Sequence, residues 1–146
     1  MQPLLSILIP YTPDRSYCTK ELVSGVINVN QDFKHTELLL KIGEVGCIVQ
    51  VVGDVEIVLM CDNKEMTIGE KRELLYKRAS GLYSWQIDSD DSIAPDAIQT
   101  ILSVIKDNPN IPCITFRENC MMNGEYKSSN HSIKYEKWAD NFDGYD

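Results

Sequence analysis

The sequence predicts an α/β fold, an αβα sandwich built on a mainly parallel sheet. Three observations predict it. Short apolar runs of the kind that become doubly covered strands recur at residues 4–9, 55–61, 83–87 and 111–116. Segments with helical spacing of apolar residues lie between them. The first three runs also end in polar residues, and in open parallel sheets ligands gather beyond the carboxyl ends of strands.

The elements follow in order. "LLSILIP" is a buried strand closed by Pro10, and it is too short to span a bilayer. "YTPDRS" is a loop whose Ser16 can cap a helix beginning near Tyr17, with Leu22, Val23, Val26 and Ile27 on its buried face. "TELLLKI" reads as helical and "CIVQVV" as extended. The "GD" before "VEIVLMC" can make a hairpin turn, but of these runs only 55–61 has the pattern of a core strand. Thr67 and Glu70 have capping-box spacing, Leu74, Leu75, Ala79 and Leu82 can form an apolar stripe, and Gly81 marks a stop. Pro95 suits the first turn of a helix that buries Ile98, Ile101, Leu102 and Ile105. Asn123-Gly124 is a strong hairpin signal.

The 146 residues, 43% hydrophobic and 25% charged, suit one compact domain over 1–146 that ends in a hairpin and irregular tail, 117–146. A net charge of −8 argues against a general nucleic-acid binder. The five cysteines show no CxxC spacing, which disfavours zinc, and most lie in apolar runs where buried free thiols are common. Their odd number and the lack of a secretory leader or transmembrane segment predict a cytoplasmic protein.

Chemistry concentrates in four places. Asp88, Asp90 and Asp91 crowd together after the third strand, where carboxylates repel one another. In an extended segment Asp88 and Asp90 share a side, so they can hold a hard divalent ion. Equally, Asp91, Ser92 and Asp96 can be capping residues of the next helix. Lys71 and Arg72 sit in the first turn of a helix, where cations oppose the dipole. A bound phosphate would reconcile them, as would pairing with neighbouring acids, and Glu73 to Lys77 is a good i, i+4 pair. Asp62 can accept from a nucleobase or ribose, or simply make an Asx turn. Arg15 can meet a base or phosphate, or form a surface ion pair. GxGxxG, the P-loop and GxSxG are all absent, which disfavours dinucleotide binding, P-loop NTPase and α/β-hydrolase chemistry. His35 and His131 lack any supporting constellation and are expected at the surface.

"SILIPYTPDR", "VEIVLMCDN", "MTIGEKRELL", "ASGLYSWQIDSDDSIAPDAI" and "CITF", taken in order, resemble the motif blocks of family 2 glycosyltransferases of the GT-A fold over residues 4–116. The combination of GEKR, A-x-G-x-Y and DxDD followed by Pro is the specific part. The resemblance implies a nucleotide-diphospho-sugar donor, a divalent ion (Mn²⁺ or Mg²⁺) and inverting transfer to an acceptor hydroxyl, on a glycan or another compound. It implies that Pro10, Tyr11, Thr12 and Arg15 surround the nucleotide and that Asp62 meets the base. Lys71 and Arg72 would lie near the diphosphate, Asp88 and Ser89 at the donor, and Asp90 with Asp88 at the metal. Relatives carry an acceptor half with an acidic base, often in an ED pair. No residue here matches that base, Glu73 stands where relatives often have Asn, and Gln86 is polar for its strand. The alternative is a truncated or degenerate domain that binds nucleotide sugar without catalysis. A sugar-nucleotide-forming nucleotidyltransferase would normally show glycine in the "YTPDR" loop.

Overall fold

The first apolar run becomes strand β1, Leu5–Tyr11, and every residue of it is buried. The computed structural model describes residues 1–27 and 36–130. His35, His131 and the tail acids Asp140, Asp143 and Asp146 lie outside the described residues. The chain divides into two compact units, Met1–Pro109 and Asn110–Asp146.

The first unit is a mixed α/β layer built on a four-stranded sheet in the order β2-β3-β1-β4. Strand β3, Val55–Cys61, is fully buried and pairs parallel with β1 along its length, from Leu5↔Val55 to Tyr11↔Cys61. Strand β4, Tyr83–Gln86, is parallel to β1 on the other side. Strand β2, Gly46–Val52, runs antiparallel to β3 and is half exposed, as an edge strand should be. The "GD" turn does form: Gly53 has φ 58°, and Val52 pairs with Val55 across it. That explains why only one of the two runs is core.

Two crossovers put helices on opposite faces. Side chains alternate along β1, so Leu8 and Tyr11 point to different sides of the sheet. Helix α3, Ile68–Arg78, packs Leu75 against Leu8, Val58 and Met60. On the other side, Tyr11 accepts a hydrogen bond from the Gly43 amide, just past the short helix α2, Thr36–Lys41. Helix α1, Ser16–Ile27, lies against β1 and α2, and it buries the expected Leu22, Val23, Val26 and Ile27. Helix α4, Ala97–Asp107, buries Ile98, Ile101, Leu102 and Ile105 as its spacing predicts. No helix among the described residues is long and apolar enough to cross a membrane.

Pro10 sits inside a central strand without penalty. The carbonyls of Leu4 and Leu8 accept from Tyr83 and Ile87, so even-numbered residues of β1 bond toward β4. Pro10 has the same parity, but the β1–β4 ladder stops at Leu8↔Gln86. Its missing amide falls where that ladder ends.

Several expectations are corrected. Ser16 does not cap α1 but lies in it, after a 3₁₀ turn at Pro13–Arg15, with its hydroxyl donated to the Pro13 carbonyl. Pro95 precedes α4, which starts at Ala97, and Asp96 makes no side-chain cap. Leu74 and Leu82 are exposed, so the stripe on α3 reduces to Leu75 with Ala79 partly buried. Run 111–116 is not a strand. Pro112 removes a ladder donor, and the hairpin of β5, Arg117–Met122, and β6, Glu125–Asn130, closes at Arg117↔Asn130. Its turn is the expected one, with Asn123 at φ 52° and Gly124 at φ 80°. Cys61 is buried, whereas Cys113 and Cys120 are exposed.

Gly81 is small because of contact, not because it stops a helix. A Cβ there would lie 2.6 Å from the Ser6 hydroxyl and 2.7 Å from the Ser6 amide nitrogen. The close approach serves a buried polar knot. Ser6 donates to the buried Glu56 carboxylate, Ser80 donates to it through its amide (2.8 Å) and hydroxyl (2.7 Å), and the Gly81 amide donates to Ser6 at 2.8 Å. Burial opposes ionisation of Glu56, but these donors outweigh it and hold the carboxyl below its ordinary value of 4.5.

Two outcomes follow. Gly81→Ala should lower stability in urea by about 2 kcal/mol, because backbone rather than a flexible side chain must give way. Glu56 has a depressed folded pKa, so its contribution is full above its unfolded value of 4.5 and fades as pH falls through the folded value. The stability of Glu56→Gln, measured from pH 6 down to pH 3, should fall less steeply than that of the parent. Parallel curves would refute an ionised Glu56.

Candidate functional site

The carboxyl ends of β1, β3 and β4 lie on one edge of the sheet, because the three strands are mutually parallel through β1. The expected site residues follow these ends. Chain leaves β1 toward α1 and leaves the adjacent β3 toward α3, on opposite faces. The gap between those two ends is the kind of place where open α/β sheets take ligands.

Lys71 and Asp62 meet in that gap. Asp62 follows β3 directly and is 2% exposed, and Lys71, in the first turn of α3, is 4% exposed. The Lys71 ammonium pairs with Asp62 and donates to the Tyr11 carbonyl at 3.1 Å. The other Asp62 oxygen accepts from the Met66 amide at 2.7 Å. The ammonium first, then this amide, holds the Asp62 carboxyl below its ordinary value. Asp62 thus makes the turn left open by its sequence context and also supplies the negative charge that a lysine at a helix N-terminus requires. The cap of α3 is the expected box: Thr67 accepts from the Glu70 amide, and Glu70 accepts from the Thr67 amide at 2.7 Å.

Arg72, one residue on, reaches sideways to the end of β4. Its guanidinium pairs with Asp88 at 2.9 Å, with both side chains about half exposed. The structure thus brings together Asp62 with Lys71, and Arg72 with Asp88. Glu73 pairs with Lys77 at 2.6 Å as its spacing predicts.

The acidic stretch has a different shape from the one expected. Strand β4 ends at Gln86, and the Asp91 amide donates to the Asp88 carbonyl at 3.0 Å, so Asp88 to Asp91 form a turn. Alternation along an extended strand therefore does not govern Asp88 and Asp90. The turn separates their roles: Asp88 faces Arg72, while Ser89 and Asp90 line a cavity of about 190 Å³ with Cys18, Glu21 and Gly25 of α1. Glu21 and Cys18 escaped sequence reasoning, because only the fold brings α1 beside this turn. Among the described residues no three His, Cys, Asp or Glu side chains are grouped to hold a metal. An ion in the cavity would meet Asp90 but not Asp88, which is paired with Arg72.

The residues around the first strand's end are placed as follows. Pro10 and Tyr11 belong to β1 and are buried. Burial pushes the Tyr11 phenol up to about 12, so it stays protonated. Thr12 donates to Asp14, whose carboxyl this bond lowers. Asp14 pairs with Lys64 of the next loop at 3.7 Å, an exposed contact of small energetic weight. Arg15 is exposed at the end of the 3₁₀ turn.

Lys71→Met should lower stability by about 3–5 kcal/mol, because it strands a buried carboxylate. Asp62→Asn added to it keeps an acceptor for Met66 and should recover most of that loss. Urea unfolding of the parent, both single variants and the double variant measures the coupling, and additive losses would contradict a buried ion pair. In comparison with models of known protein families and with curated proteins, the chain matches none.

Proposed function

We propose that the chain binds a nucleotide-diphospho-sugar in the manner of a family 2 glycosyltransferase with GT-A layout, as the donor part of a metal-dependent, inverting sugar transferase. One observation carries this reading. Motifs far apart in sequence, "YTPDR", Asp62, "GEKR" and "DSDD", converge on one edge of a largely parallel sheet, and Lys71 and Arg72 tie them together.

The chemistry divides among these residues. A divalent ion held at Asp90, and by Asp88 once Arg72 releases it, would neutralise charge on the departing nucleoside diphosphate. Arg72 is half exposed and bound to a half-exposed carboxylate, so the pair is weak and the guanidinium can turn to phosphate oxygens. Arg15 stands exposed beside the β1 end, open to a base or phosphate. Lys71 acts from within. It fixes the ends of β1 and β3, while Asp62 and the Tyr11 carbonyl hold its ammonium.

A second reading has an observation of its own. Asp62 and Lys71 spend their charges on each other below the surface, which suits a domain that binds nucleotide sugar without transferring it. Detection of sugar transfer by this chain would exclude that alternative.

Calorimetric titration with UDP and GDP, with and without Mn²⁺, tests the shared claim. Binding of at least one nucleotide should require the metal, and Asp90→Asn should weaken it by roughly tenfold or more. A folded protein that binds no nucleoside diphosphate in Mn²⁺ would overturn both readings.

A further inference from the structure

We propose that β2 is an association strand, pairing antiparallel about Val49 with β2 of a second copy of this chain. Strand β2 is an edge of the four-stranded sheet, and no strand among the described residues pairs with its outer side. Proteins usually blunt such edges with charge, proline or brevity. The other edge, β4, is only 4 residues long. By contrast β2 runs for 7 residues, GCIVQVV, with no charge and no proline.

The exposed residues form a directed pattern. Val49 is 44% exposed and Val51 50%. Alternation places both on the face of Cys47, which packs against Leu8, Val58, Met60 and Leu75. An apolar strip thus starts inside the core and runs out along the free margin of the sheet.

A second copy fits this edge because the strand is nearly symmetric about its centre. With Val49 facing its own counterpart, Cys47 meets Val51 of the other copy and Ile48 meets Gln50. Apolar residues then cover apolar ones on the exposed face, and no like charges meet within the strand. Just outside it, Glu44 approaches Asp54 of the other copy, but Asp54 is already neutralised by Lys106 at 2.8 Å. The contact is isologous, so it closes at two copies. It joins the two sheets into one and satisfies the outer backbone groups of both β2 strands. One strand pair lies at the small end of specific interfaces, so the dimer is weak and concentration-dependent.

Sedimentation equilibrium of the whole chain over a wide concentration range tests this. The parent should dimerise reversibly, and more strongly as salt screens the −8 charge of each copy. Val49→Lys places two ammonium groups at the symmetry axis and should weaken association by about tenfold or more. Tyr76→Lys, on the exposed face of α3, should leave it unchanged. Val49→Cys should oxidise to a dimer linked through residue 49 of both copies, located by peptide mass mapping. Val49 lies outside the core, so circular dichroism of the variants should match the parent. A chain that stays monomeric, a dimer indifferent to Val49→Lys, or oxidation that avoids residue 49 would each overturn the proposal.

Discussion

A buried ammonium joins three elements at one point. Lys71 sits in the first turn of α3, pairs with Asp62 at the end of β3, and bonds the last carbonyl of β1. Without it, a carboxylate and a strand-end carbonyl would be left unpaired away from water, which is expensive. The pair also orients the helix. Successive helical residues diverge by about 100°, so fixing Lys71 inward turns Arg72 along the sheet edge toward β4. The Arg72–Asp88 contact is then a consequence of the buried one, and the candidate site has one rigid anchor and one loose arm.

Local rules made much of the fold legible in the sequence. The periodicity of 98–105, the box at Thr67 and Glu70, and the Asn123-Gly124 turn are each set by residues within a few positions, and each is found where expected. Misreadings arose where distant residues decide. Gly81 looked like a helix stop, but it is small because Ser6, 75 positions away, lies against it. Glu56 and Ser6 interrupt apolar strands, a visible signal, yet their partnership with Ser80 needs the parallel register of β1 and β3. The candidate site divides in the same way. Its residue types and their positions at strand ends were readable, whereas the pairing of Asp62 with Lys71, the turn at Asp88 to Asp91 and the nearness of Glu21 were not.

The proposed function draws on this difference between anchor and arm. Buried, mutually satisfied charges make a stiff floor, and half-exposed charges above it can exchange partners at little cost. A site for an anionic, metal-associated ligand needs both. In that proposal the floor would hold the donors in place before binding, and the movable guanidinium would give up a carboxylate to a phosphate.

The Glu56 knot lies near the start of β3, while Asp62 follows its end, about 20 Å away along the strand. Asp54, in the β2–β3 turn, adds to the same pole by accepting from the Leu4 and Leu5 amides and pairing with Lys106. The sheet therefore has one pole given to cohesion alone, and an opposite pole where the Lys71–Asp62 anchor and the candidate site lie together. Enzymes commonly trade activity against robustness because one set of residues serves both ends. In this chain the Glu56 knot carries cohesion at the far end of the same strands, so the loops around the candidate site can diversify as long as the Lys71–Asp62 anchor is kept.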